Sequence, residues 1–265
     1  QTICMDDYAS ISALANGGDG GPYTYTWNQG VGLGQNQNVN PTATTTYVVT
    51  VTDGCQTPSV SDSVAITVIP IPVISFSGDN LEGCTPLEVT FIDTGLPAGS
   101  QCNWDFGDGN TSNDCGPVSH TFTTPGCWDV GLSITTTEGC LASVDLAQYI
   151  CVFDYPNASF TYGPQPTTIM DSEIYFTNNS TGATNYLWSF DTQGSTATSS
   201  QENPSYTFNG MQEGTYEVCL DATSIEGCLS TTCKVVEIND VFLVFVPNAF
   251  TPGGDDNIND IFLPV

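Results

Sequence analysis

The segment GGDDNIND, residues 253–260, sets Asp255, Asp256, Asn257, Asn259 and Asp260 in a glycine-rich stretch. Carboxylate and amide oxygens at such spacing are ligands for a hard cation, and calcium is the candidate ion. No glutamate closes the run as it would in an EF-hand loop, so the competing reading is an Asx-rich turn that caps a strand. A second acidic stretch, WDFGDG at 104–109, holds Asp105 and Asp108. Two carboxylates so close could serve glycoside hydrolysis. Their setting favours a structural role, because Trp104 and Phe106 alternate onto one face of a strand and the Asp-Gly pair supplies the positive φ of a tight hairpin. Asp105 is then expected to accept hydrogen bonds from backbone donors of the turn. His120, the chain's one histidine, follows Pro-Val-Ser at the start of an alternating strand and reads as structural before it reads as a base. With a single His, Ser-His-Asp catalysis and His-rich metal sites have almost nothing to work with, and no catalytic residue is assigned.

The charge balance excludes further classes. Among 265 residues there are 29 acidic side chains and one cation, Lys234, for a formal charge of −28. Nucleic acid and phosphate ligands are held by Lys and Arg, and anionic membrane surfaces attract them, so all three are disfavoured. Cations, sugars and other proteins remain as partners. The 4 Trp, 11 Tyr and 13 Phe separate the chain from disordered acidic tails and suffice for real cores.

Eleven cysteines among short polar strands indicate an oxidising, extracytoplasmic compartment. No CxxC pair occurs, and no thiol has a cationic neighbour that would make it reactive. The number is odd, so one thiol is free or has its partner elsewhere. No run of 18 apolar residues suggests a membrane span. No signal peptide is visible, and the opening QTICMDD reads as the interior of a longer or processed polypeptide.

The elements that must position these groups are strands. TTYVVTVTD (45–53), PLEVTFID (86–93), CWDVGLSITT (127–136), EIYFTN (173–178) and TYEVCLDAT (215–223) alternate and are bounded by Gly, Pro, Asn or Asp. The chain also repeats itself: CNWDFGDGNTS (102–112) is echoed by YLWSFDTQGST (186–196), and HTFTTPGCWDVGLSITTTEGCLAS (120–143) by YTFNGMQEGTYEVCLDATSIEGCLS (206–230). The period of about 85 residues is that of one immunoglobulin-like sandwich. An all-β chain of tandem immunoglobulin-like sandwiches in a rod follows, with an extended C-terminal segment. Its divisions are 1–69, 70–152, 153–239 and 240–265. The joints IPIPV (69–73) and FDYPNA (153–158) are too short and apolar to be floppy linkers.

At WDFGDG the residues reach a known family. Together with Pro117, His120, Phe122, Pro125, Gly126 and Trp128, this stretch resembles the hallmark of the PKD domain. Residues 157–238 resemble a degenerate second copy, in which WSFD replaces WDFG. Residues 1–69 resemble the Ig-like repeats of long surface proteins of gliding Bacteroidetes. Residues 246–262, with Pro247, Asn248, Phe250, Thr251, Pro252, Asn259 and Asp260, resemble the opening of a type B sorting domain of the type IX secretion system. Gly253 and Asp256 depart from that pattern, and one residue is inserted before Asn259. The resemblance implies a non-enzymatic, gliding-associated adhesin or stalk held at the cell surface, with secretion and outer-membrane anchoring proteins as partners. Other copies of the chain or surface polysaccharide would be further partners. The alternative is a carbohydrate-binding accessory region of a large secreted hydrolase. That would need Trp27, Trp104, Trp128 and Trp188 exposed in a row, whereas alternation places at least the last three in cores.

Hairpin symmetry suggests cysteine pairs. Cys102 and Cys115 flank the GDGN turn, Cys219 and Cys233 flank IEGC, and Cys127 and Cys151 fall at one end of a sandwich. By elimination Cys4 pairs with Cys55 and Cys84 with Cys140, which leaves Cys228 as the odd thiol. Asn110, Asn157, Asn178 and Asn179 fit the N-x-S/T pattern, and DSV (62–64) resembles a Bacteroidetes O-glycosylation motif. VFLVFV (241–246) is the most apolar run and, as an unpaired strand, requires a partner: the rest of a sorting domain, or a protein that receives it by strand addition.

Overall fold

The computed structural model describes residues 1–18, 22–54, 58–170, 173–191, 196–208 and 213–241. All its regular elements there are β-strands, and no helix is long and apolar enough to cross a membrane. The chain divides into two compact units, Gln1–Phe153 and Asp154–Val265. The first unit contains two sandwiches with separate cores, the second unit one.

The first sandwich comprises β1 (Thr2–Cys4), β2 (Ala9–Ser12), β3 (Thr24–Trp27), β4 (Gly32–Leu33), β5 (Asn36–Val39), β6 (Thr45–Thr52) and β7 (Val60–Ile69). One sheet runs β1-β7-β6-β3-β4 and the facing one is the pair β2-β5. Period-2 alternation in β6 turns Tyr47, Val49 and Val51 inward, where they meet Ile11, Trp27 and Ile66. β1 pairs in parallel with the end of β7, with Cys4 opposite Ile69.

The second sandwich follows with β8 (Ser75–Gly78), β9 (Glu82–Cys84), β10 (Leu87–Thr94), β11 (Gln101–Asp105), β12 (Thr111–Ser112), β13 (Val118–Phe122), β14 (Gly126–Thr135) and β15 (Leu141–Phe153). Its sheets are β13-β10-β8 and β12-β11-β14-β15-β9. Val89 and Phe91 from one sheet face Trp104, Val130, Leu132 and Ile134 from the other, all of them buried. Each such side chain contributes about 1.5–3 kcal/mol through burial.

Trp128 departs from the expectation that it is core. It keeps the inward parity of Val130, but a β-bulge between the two residues displaces the strand end, and the ring is only partly buried against the core. Its Nε1 is shielded from solvent and has no hydrogen-bond acceptor among the described residues.

In the second unit, β16 (Phe160–Gly163), β17 (Glu173–Asn178), β18 (Asn185–Asp191), β19 (Thr196–Ser199), β20 (Ser205–Thr207), β21 (Gly214–Thr223) and β22 (Leu229–Ile238) form the third sandwich. Its sheets are β16-β17-β20 and β19-β18-β21-β22. The core repeats that of the second, with Phe160, Phe176, Trp188 and Phe190 buried.

One polar contact recurs in all three sandwiches. The buried tryptophan donates its indole N–H to a main-chain carbonyl: Trp27 to Gly34 at 2.8 Å, Trp104 to Asp114 at 3.1 Å and Trp188 to Gln201 at 2.9 Å. A large apolar ring is thus buried without leaving its one donor unsatisfied.

Candidate functional site

β11 delivers Asp105 to the end of a hairpin, and the following turn carries Asp108 toward β13. Asp105 Oδ1 accepts the N–H of Gly107 at 2.9 Å. Asp108 accepts the N–H of Asn110 at 3.0 Å and its side-chain amide at 3.1 Å. Gly107 and Gly109 have φ of 78° and 91°. At Gly107 a Cβ would lie 2.3 Å from the carbonyl oxygen of Asp129, so the close approach of two backbones requires glycine there.

His120 completes the cluster. Its Nε2 lies 2.8 Å from Asp108 Oδ2, and its ring stacks on Phe106 at 4.1 Å with an interplanar angle of 4°. Burial pushes the Asp108 carboxyl up, but the hydrogen bonds from His120 and Asn110 outweigh it and hold the group below the usual carboxylate value. The third sandwich keeps the stack without the carboxylate contact: Tyr206 lies on Phe190 at 4.4 Å, again at 4°. The flat ring stacked on a phenylalanine is what both sandwiches share. Asp105 and Asp108 are therefore tied to turn donors and to a stacked histidine, and their arrangement is that of a clasp between the hairpin and β13.

Metal ligation finds little support among the described residues. The grouping of three candidate ligands there is Glu217 with Cys219 and Cys233, whose sulfurs are bonded to each other, so neither is a thiolate. Asp255, Asp256, Asn257, Asn259 and Asp260, expected as calcium ligands, lie outside the described residues. So do the sorting-motif positions Pro247, Asn248, Phe250, Thr251 and Pro252, and the apolar run apart from Val241. An aromatic platform for sugar cannot be built from Trp27, Trp104 and Trp188, which are buried.

The cysteines hold the unexpected feature. Cys102–Cys115, Cys127–Cys151 and Cys219–Cys233 are bonded across hairpins or between neighbouring strands, with Cα separations of 5.4, 4.1 and 4.0 Å. Cys4, however, is bonded to Cys140, with Cα atoms 5.6 Å apart. This corrects both pairs inferred by elimination, Cys4 with Cys55 and Cys84 with Cys140. The end of β1 in the first sandwich is joined to the β14–β15 loop of the second, a contact that counting cysteines within each sandwich could not find. Cys84 and Cys228 are also disulfide-bonded, so Cys228 is not the odd thiol; Cys55 lies outside the described residues.

Two levels of likeness accompany this geometry. Residues 70–151, the second sandwich, match the PKD domain family. Among solved structures, the PKD1 domain of Vibrio anguillarum Epp is 22% identical over 33% of this chain and 96% of its own, with a TM-score of 0.28. The three N-terminal domains of the bacteriophage RB49 outer capsid protein Hoc are 15% identical, covering 91% of this chain and 96% of that one, with a TM-score of 0.39. A calcium-stabilised adhesin with which an Antarctic bacterium binds ice is 13% identical, covering 92% and 72%, with a TM-score of 0.41. No curated protein matches the chain.

Proposed function

We propose that these 265 residues are a non-enzymatic, load-bearing segment of a secreted adhesin or filament stalk displayed at a bacterial cell surface. The observation that carries this reading is the Cys4–Cys140 bond, which ties successive sandwiches together covalently. A catalytic domain gains little from such a tie, whereas a spacer under tension gains a joint that does not open. The disulfides in each unit suit an oxidising exterior. The near absence of cations leaves trypsin-like proteases one lysine to cut after. The motif at 247–260 supports export by a type IX route and retention by outer-membrane anchoring proteins. Gliding association belongs to the same reading, as does adhesion to other copies of the chain or to surface polysaccharide.

Antibodies raised against the folded chain provide the test. Label on intact, unpermeabilised cells, lost when residues 242–265 and whatever follows them are deleted, is the expected result. Label that appears only after lysis would contradict the assignment.

A further inference from the structure

The tryptophan of each sandwich fixes a common register for the strands beside it. Trp27 stands opposite Val49, Trp104 opposite Leu132 and Trp188 opposite Leu220. Counting from those pairs aligns the outward positions of β6, β14 and β21, which alternate with the core positions. Thr46 falls where the other two sandwiches carry Asp129 and Glu217, and Thr50 where they carry Ser133 and Asp221. On the next strand Ser63, opposite Val48, takes the place of Asp145, opposite Gly131. The same sheet face is thus acidic in the second and third sandwiches and uncharged in the first.

That uncharged face is an array of hydroxyls. Thr26, Thr50 and Ser61 form one row across β3, β6 and β7, with the Thr50 and Ser61 oxygens 3.0 Å apart. Thr24 lies opposite Thr52 in the row on one side, and Val48 opposite Ser63 in the row on the other. Positions repeat at about 4.8 Å within a row and at about 6.8 Å along a strand. Threonine is an ordinary strand residue, so hydroxyls alone would mean little. The absence of charge is the informative part in a chain of −28. Of its 29 carboxylates only five precede residue 70, and one of these, Asp62, belongs to the three strands. Asp62 alternates to the opposite side of β7, beside Trp27.

We propose that the outer face of β3, β6 and β7 docks a neutral, extended polysaccharide. This rests on the adhesin reading above and gives it a ligand class and a site. Charge selects the ligand. Anionic polymers are repelled by the chain as a whole, and cationic ones find their counter-charge on the acidic faces of the other sandwiches. Hydroxyl side chains both donate and accept, so they match sugar hydroxyls in either sense. The threonine methyls, with Val48 and Ala65 on the same face, meet the C–H edges of the sugar rings. Area separates a glycan from a protein partner. Three strands of four rows present roughly 300–400 Å² at these spacings, against about 800 Å² on each side of a standard protein interface. A polysaccharide needs less from each sandwich, because one chain engaged by several copies gains by avidity.

Affinity electrophoresis of the full chain through gels containing soluble glucomannan, a neutral β-linked polymer, provides the test. Migration retarded by glucomannan and not by alginate, an anionic polymer, is the expected result. Thr26→Val, Thr50→Val and Ser61→Ala together remove one row of hydroxyls and leave residues that a strand accepts. This triple variant should bind about fivefold or more weakly, with its melting unchanged. Thr46→Glu with Thr50→Asp copies the acidic face of the third sandwich onto the first and should abolish retardation. A parent chain that glucomannan does not retard would overturn the proposal, and so would equal retardation of parent and triple variant. Self-association in sedimentation that the triple variant abolishes would overturn it too, by making a second copy the occupant. Antibody labelling of intact cells is independent of these outcomes, so a failure here leaves surface display standing.

Discussion

Cys4 and Cys140 are separated by 136 residues and belong to different sandwiches, yet their sulfurs are bonded. Tension applied at Gln1 therefore passes from Cys4 directly to Cys140 and bypasses the chain between them, which includes all of β2 to β14. Within the second sandwich Cys127–Cys151 closes a further loop on the same path. The two sandwiches of the first unit can lose their packing under load without giving up the length of their chain.

Core tryptophans should dominate stability. Trp104 is fully buried, ringed by Phe76, Phe91 and Phe106, and its truncation to Ala should cost about 3–5 kcal/mol. Trp128→Ala should cost clearly less, because the ring is partly exposed beyond the β-bulge. Urea unfolding of the two variants gives the comparison, and equal losses would contradict the packing described.

The hairpin distinguishes its two glycines. Gly107→Ala forces a Cβ to within 2.3 Å of a backbone oxygen, whereas at Gly109 the space is open and only the positive φ resists substitution. Gly109→Ala should cost on the order of 1 kcal/mol and Gly107→Ala clearly more. Thermal melts that rank them the other way would exclude the close approach to Asp129.

Asp108 gives the second sandwich an acid-sensitive clasp. Its carboxyl is held below the usual value in the folded state, after burial is offset by hydrogen bonds from His120 and Asn110. A depressed folded value contributes stability that is complete above the unfolded value and is lost as pH falls through the folded one. Unfolding measured from about pH 6 down to about pH 2 should therefore show a loss that Asp108→Asn removes in part. A variant with the same acid profile as the parent would show that the clasp carries no linkage.

The charge distribution predicts a salt response. Among the described residues no lysine pairs with a carboxylate: Lys234 donates to the carbonyl of Phe160 and lies 5.1 Å above its ring. The 29 carboxylates consequently repel one another with little internal compensation. Screening shortens from about 8 Å at physiological ionic strength to about 3 Å at 1 M, so melting should rise with salt. A flat melting temperature over that range would count against the argument.

Much of this was legible in the chain. Alternation located the long strands, and the turn chemistry of WDFGDG fixed the hairpin and the bond from Gly107 to Asp105. The symmetric spacing of Cys102 and Cys115 about the turn pointed to their bond. The Cys4–Cys140 pairing was not legible, because sequence spacing carries no information on which loops of separate cores meet. A hint existed in the loop TEGC (137–140), whose cysteine has no symmetric mate within its own hairpin. Trp128 escaped for another reason: parity survives a β-bulge while depth does not.

Mechanical extension tests the load-bearing reading most directly. Single molecules would be pulled from attachment points at Gln1 and Phe153, oxidised and then reduced. With Cys4–Cys140 intact, the unfolded path is the few residues before Cys4 plus those from Cys140 to Phe153, a contour of about 60 Å at about 3.5 Å per residue. The reduced chain should reach about 530 Å on the same scale. Oxidised molecules that lengthen as far as reduced ones would contradict the account.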